Sequence, residues 1–292
     1  MMGAEGIRTL KHHYRIIIPS VELTPDQNAR LDADLQKRWQ GDFSMAGVHF
    51  FPEMHSLPEA LARKIPGYQQ VVSIFTNVIF DTTQMYANTV FPSMFAWLDE
   101  LLAVIKANPQ TLFILRAHPD ESRPGKASRE SVTIWFEQNA GKLANFHLLS
   151  PQEHVSSYDL VKKSKFVLTY NSTIGLESIL LGVPALAAGQ APFNFFDTVF
   201  FEKDQPAYFQ PLAGWLSAEN IPLPSDRQDN ARRFLYYRTY RFSLPFSQFL
   251  EATHPVGYVK LKEFSLPELK NSPTSRAILA GILEGKRFEL DV

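Results

Sequence analysis

Four short stretches of the chain gather side chains suited to holding and discharging a phosphate. In Arg116-Ala117-His118-Pro119-Asp120-Glu121 a proline follows the histidine and fixes the turn, so the imidazole is held in one place. Such an imidazole donates to a phosphate or passes a proton near neutral pH; a histidine satisfied by a backbone carbonyl fits the motif equally well. Arg116 reads as either a buried structural arginine or a phosphate clamp, and Arg123 and Lys126 further along supply cations for an anion. In Asn171-Ser172-Thr173-Ile174-Gly175 three small polar residues open a helix, whose first N–H groups and dipole favour an anion. Gly175 has no Cβ and lets a ligand or a neighbouring backbone come close. Glu177 is an acid in an otherwise apolar helix: a ribose diol would match it, and so would solvent on the edge of a plain crossover. In Thr76-Asn77-Val78-Ile79-Phe80-Asp81 the asparagine orients a sugar or caps the turn, and Asp81 is the stronger candidate for chemistry. Gly189-Gln190-Ala191-Pro192-Phe193-Asn194-Phe195 walls a nucleobase or fills a core with its phenylalanines.

These stretches fall at the ends of predicted strands. Val71–Thr76, Thr111–Arg116, Asn145–Leu149, Phe166–Tyr170 and Val183–Ala188 have strand character. Helical patterns lie between them at Phe91–Ala107, Ser128–Gly141 with Ser128 as its cap, Val155–Lys163 and Ile174–Leu181. Gly182 stands where a left-handed C-terminal cap is wanted, and Pro184 ends any continuation. The alternation predicts an α/β, Rossmann-like parallel sheet with helices on both faces, and such sheets bind ligands at the carboxyl ends of their strands. Tyr14–Ile18 reads as a strand, and Thr24-Pro25-Asp26 starts a helix. After Asp197 the alternation stops. Asp204–Pro224 is rich in proline and turn residues, while Arg227–Arg241, Leu244–Ala252 and Thr274–Leu283 read as helices. The expected division is a partial N-terminal region over 1–70, a Rossmann-like domain over 71–200 and a helical C-terminal extension over 201–292 that packs back on the core.

The composition is that of an ordinary globular chain: 292 residues, 45% hydrophobic and 20% charged. Lys+Arg 29 against Asp+Glu 30 leaves a net charge of -1, which argues against a nucleic-acid surface. With no cysteine there are no disulfides or thiolate metal sites, and the scattered histidines suggest no metal. No P-loop, GxGxxG, HExxH or GxSxG motif is present. The apolar run Ile16–Ile18 is too short for a signal or a span, so a cytoplasmic protein is expected.

The stretches FTNVIFD (Phe75–Asp81), RAHPDE (Arg116–Glu121), YNSTIGLESILLGVPALAAG (Tyr170–Gly189) and ARRFLYYRTY (Ala231–Tyr240) together resemble the nucleotide-binding half of GT-B glycosyltransferases. More narrowly they resemble the capsule polysaccharide biosynthesis family, which includes β-Kdo transferases and is akin to bacterial sialyltransferases. The resemblance implies a transferase that takes a nucleotide sugar as substrate, with no cofactor, and passes the sugar to a glycan or lipid-linked acceptor. It implies that His118, Ser172 and Thr173 contact the donor phosphate and that Glu177 contacts ribose. Arg116, Asn77, Asn171, Gly175 and Gly189 complete the donor site, with His118 and Asp81 as the catalytic pair. The family's first domain is short here, so the expected readings are a truncated protein, the terminal portion of a larger enzyme, or a single-domain variant completed by a partner chain or a second copy. The basic aromatic strip Arg232–Arg241 either touches an anionic membrane surface or packs its rings inward. Two alternatives are a non-catalytic nucleotide- or glycan-binding subunit and a sugar-nucleotide epimerase.

Overall fold

The computed structural model describes residues 22–41, 44–45, 48–49, 55–79, 84–122, 130–251 and 260–290. The predicted strand at Tyr14–Ile18, Ser128, and the side chains of Asp81, Arg123 and Lys126 lie outside the described residues. The chain divides into two compact units. One is built on Glu53–Ala231, the other on Val21–Pro52 with Arg232–Val292.

The first unit is organised on six parallel strands: β1 (Gln70–Phe75), β2 (Thr111–Arg116), β3 (Phe146–Leu149), β4 (Phe166–Thr169), β5 (Ala185–Ala187) and β6 (Phe200–Phe201). Their spatial order is β3-β2-β1-β4-β5-β6. That is the doubly wound order, which reverses direction between β1 and β4. All six positions of β2 and all four of β4 are buried, the mark of strands covered on both faces. On one face Val72, Ile74, Phe113 and Leu168 pack with Trp97, Leu98 and Leu101 of the helix Met94–Ala107. The expected start of that helix at Phe91 moves to Ser93, whose hydroxyl accepts the Ala96 N–H at 3.1 Å. Likewise the helix predicted from Ser128 begins at Val132, capped by Ser131.

Two elements differ from expectation. Gln205–Ser217, read as turn-rich, is a helix: Asp204 caps it, Pro206 occupies its first turn where no N–H is needed, and Pro211 is tolerated inside it. Its Tyr208 and Leu212 are fully buried against the sheet, and Tyr208 accepts the Trp97 indole N–H at 2.9 Å. Packing thus overrode a proline signal, and this helix stays with the sheet unit beyond residue 200. The alternation also runs one strand further than expected, because Phe200–Phe201 extends the sheet beside β5.

In the second unit the helix Pro25–Trp39 is closed at its start by a reciprocal pair between Thr24 and Gln27. Arg232 pairs with Asp32 at 2.7 Å and donates to Asn28, while Tyr240 donates to Asp34 and lies under the Arg30 guanidinium at 4.0 Å. Tyr236, Tyr237 and Tyr240 are buried. The rings of the basic aromatic strip are therefore core of the second unit, not of the sheet they were expected to cover. Leu244–Ala252 is not the predicted helix: the chain makes a short turn at Ser247–Phe249, then pairs Leu250–Glu251 with Lys260–Leu261. Among the described residues no helix is long and apolar enough to cross a membrane.

Candidate functional site at the carboxyl edge of the sheet

The strand order places the site. β1 lies between β2 and β4, with Phe75 opposite Arg116 on one side and Thr169 on the other. Neighbouring strands are about 4.8 Å apart, so the ends of β2 and β4 stand roughly 10 Å from each other with the end of β1 between. His118 follows Arg116 by two residues and Asn171 follows Thr169 by two. The three motifs thus emerge on one edge, at the point where the winding reverses.

Hydrogen bonds lock these ends together. Thr76 donates both its N–H and its hydroxyl to the Arg116 carbonyl, at 3.2 and 3.1 Å. Asn77 is more than a turn cap: its Oδ1 accepts the Asn171 N–H at 3.1 Å, directly across the reversal. His118 Nδ1 accepts the Asp120 N–H at 3.2 Å, so a neutral imidazole carries its proton on Nε2, where it serves as a donor. Ser172 accepts the Ile174 N–H only at 3.5 Å, and Thr173, at the N-cap position, makes no capping bond. The three polar residues expected to cap the helix leave that work largely undone, and Asn171 Oδ1 is buried without a hydrogen-bond partner.

The other predicted residues are placed as follows. Arg116 is 2% exposed and gives Nη1 to the Ser150 carbonyl at 2.7 Å; burial lowers its pKa to about 10, against the opposing pull of Glu153. It is the buried arginine of the two readings, joining β2 to the loop after β3. Glu177 is 4% exposed, which excludes the solvated-edge reading. A Cβ on Gly175 would sit 3.1 Å from Thr169 Oγ1, so glycine here serves the close approach of helix to β4. Gly189 donates to the Tyr170 carbonyl at 2.7 Å, and a Cβ there would meet the Tyr170 ring at 3.1 Å. Asp81 lies outside the described residues.

Comparison with known proteins follows the same region. Residues 55–198 match the model of the family described as capsule polysaccharide biosynthesis protein. The resemblance to that family is confined to this stretch. It holds every site motif except the strip after Ala231, and covers a little under half of the chain. Protein FixF of Sinorhizobium fredii is 27% identical over 130 residues, which is 44% of this chain and 29% of FixF. The chain therefore spans less than a third of that curated relative. Among solved structures, KpsC β-Kdo 2,4-transferase of Thermosulfurimonas dismutans aligns at 13% identity with a TM-score of 0.44, covering 75% of this chain and 56% of that one. The UDP-GlcNAc 2-epimerase of Neisseria meningitidis, solved with UDP-GlcNAc, aligns at 16% identity with a TM-score of 0.36, covering 61% and 48%.

Within the family stretch the structure adds residues that the sequence did not single out. Glu121 Oε2 accepts the Val132 N–H at 3.2 Å, tying the turn after His118 to the next helix. Burial pushes its carboxyl up to about 7. Among the described residues of the sheet unit, Arg116 Nε, Glu121 Oε1, Thr169 Oγ1, Asn171 Oδ1 and Asn194 Oδ1 are buried without a hydrogen-bond partner. All five belong to the carboxyl edge. Glu121 and Asn194 stood inside quoted motifs, but nothing in a motif says which atom will be left dry and unpaired. A groove of about 510 Å³ in this unit lies elsewhere, between the helices Met94–Ala107 and Gln205–Ser217, and its lining is mostly apolar. No group of three or more metal-ligating side chains occurs among the described residues.

Proposed function

We propose that this chain carries the nucleotide-sugar site of a GT-B-type glycosyltransferase in capsule or surface polysaccharide synthesis. The carrying observation is the set of buried, unpaired polar atoms at the carboxyl ends of β2 and β4 and in the turns that follow β2, β4 and β5. Buried polar groups are almost always paired in a folded protein, so a patch of orphans at one edge suits a ligand that completes them. The family match over 55–198 supports the same reading.

In this reading His118 gives its Nε2 proton to a donor phosphate oxygen, and the Ser172 and Thr173 groups share the remaining charge. Fixed donors of this kind stabilise a departing nucleotide without reorganising during the reaction. Arg116, buried and fixed to Ser150 through Nη1, contributes positive potential and rigidity, and its unpaired Nε is among the groups a ligand would complete. Glu177, enclosed one turn into the helix, orients the ribose. Asp81 remains the candidate base for the acceptor hydroxyl of a glycan or lipid-linked acceptor.

The test is nucleotide binding by the intact chain, screened with CMP, UDP, GDP and CDP. A bound nucleotide is expected to raise the melting temperature, as a ligand selective for the native state does. His118→Ala is expected to lower affinity for that nucleotide at least about tenfold, the loss of one charge-assisted hydrogen bond, with the unliganded melting temperature unchanged. Wild-type affinity in a folded His118→Ala chain overturns the assignment.

A further inference from the structure

The helix Pro273–Glu284 of the second unit turns its large apolar residues outward. Leu279, Ile282 and Leu283 have the i, i+3, i+4 spacing that lines one face of a helix. All three are exposed, Ile282 at 67% and Leu283 at 75%. The inward side carries small residues instead. Thr274 is buried and donates its hydroxyl to the Pro245 carbonyl at 2.6 Å, and Ala277 and Gly281 follow it on the same side by helical spacing. This reverses the usual arrangement, in which the apolar stripe of a surface helix faces the core. The end of the helix extends the pattern. Gly285, at φ 67, turns the chain back, and Lys286 donates its N–H to the Ala280 carbonyl at 3.2 Å. The return lays Phe288 on Gly281, where a Cβ would sit 2.4 Å from the ring, and Phe288 is still exposed. One exposed apolar residue needs no explanation, but four on one short element mark a contact surface.

The charges around this face say what covers it. Arg276, Lys286 and Arg287 are exposed, and Arg276 stands on the same side as Leu279 and Leu283, three and seven residues before them. The two nearest acids are engaged. Glu284 pairs with Lys286 at 2.7 Å, and Glu289 pairs with Arg241 at 3.6 Å, where both side chains are half-buried. The surface is thus apolar in the middle and basic at its rim, with Arg276 before the patch and Arg287 after it. A second copy docked here about a two-fold axis would set these arginines against the same patch on its partner, where like charges repel. An anionic lipid surface satisfies both parts together. Its acyl region takes the aliphatic side chains, and its headgroups take the cations. The helix has 12 residues, too few for the ~20 that cross a bilayer, so it lies along the surface.

We propose that the outer face of Pro273–Glu284, with Phe288 at its end, docks on the surface of an anionic lipid bilayer. This surface is separate from the aromatic strip Arg232–Arg241, whose tyrosine rings are buried, and it does not depend on the nucleotide-sugar reading. The test is co-sedimentation of the intact chain with two kinds of vesicle, phosphatidylcholine alone and phosphatidylcholine mixed with phosphatidylglycerol. Binding is expected to the mixed vesicles and to weaken as salt rises. The Ile282→Glu, Leu283→Glu double variant is expected to bind them at least about tenfold more weakly, with an unchanged melting temperature because both side chains already stand in solvent. One basic residue near such a surface is worth about fivefold, so Arg276→Gln, Arg287→Gln is expected to lose at least about tenfold on the mixed vesicles alone. Failure of the folded wild-type chain to bind the mixed vesicles overturns the proposal, as does equal binding to phosphatidylcholine alone. Undiminished binding by either folded double variant overturns it as well. A dimer in sedimentation equilibrium that Ile282→Glu, Leu283→Glu dissociates, with no vesicle binding by the wild type, gives the face to a second copy and also overturns it.

Discussion

Glu121 shows how one residue is tuned by its neighbours rather than by its own chemistry. Its carboxyl is pushed up to about 7 by burial, against the opposing effect of backbone N–H groups from Val132 and His118. The native state therefore holds a proton that the unfolded chain, at 4.5, has already released. Between those two values the folded form binds more protons, so stability falls as pH rises from about 4.5 to about 7 and is flat above. Urea unfolding across this range is expected to show that decline, and Glu121→Gln is expected to flatten it. A decline of the same size in the variant would assign the effect to another group. Asn77 makes the companion case. Its side chain joins β1 to the loop after β4 across 94 residues of sequence. Asn77→Ala leaves the Asn171 N–H without that acceptor and is expected to cost about 1–3 kcal/mol in denaturant unfolding.

At the scale of elements, glycines set how closely helix and strand approach. The helix Ile174–Leu180 ends as its sequence promised, with Gly182 at φ 80 just beyond it. A side chain there is strained whatever the space around it, so Gly182→Ala is expected to lose about 1–2 kcal/mol of stability. Nucleotide affinity is expected to hold, because the substitution lies at the far end of the helix from Ser172 and Thr173. Calorimetry and urea unfolding of the same variant read both halves of this prediction. The start of the same helix was less legible. Asn171, Ser172 and Thr173 are all good capping types, yet Thr173 makes no capping bond and Ser172 only a long one. Propensity names residues able to cap; the backbone geometry at the helix start decides whether they do.

At the scale of the molecule, the sheet unit is held by partners far apart in sequence. Tyr208, on a helix that composition concealed, accepts the Trp97 indole N–H across 111 residues, and both side chains are fully buried. Tyr208→Phe removes the acceptor and leaves that N–H dry, with an expected loss of about 1–3 kcal/mol in urea. Trp97→Phe in the same background is expected to cost less than it does in the wild-type chain, since the orphan N–H is then already present and is removed. The second unit has its own core of Tyr236, Tyr237 and Tyr240, with Arg232 and Tyr240 tied to Asp32 and Asp34.

Local pattern alone was enough to establish the α/β class, five of the six main strands, the glycine cap at Gly182 and the three motifs that meet at the sheet edge. Those features depend on near neighbours in the chain: side-chain periodicity, capping types, and the rigidity of proline and glycine. Tertiary structure decided the order β3-β2-β1-β4-β5-β6, and with it which motif ends face each other. It also turned Arg116 inward to Ser150, joined Asn77 to Asn171, and left the Asn194 and Thr169 oxygens buried and unpaired. The physical reason is the same in each case. Burial and hydrogen-bond satisfaction belong to a place in space, and that place is filled by residues the chain supplies from distant positions.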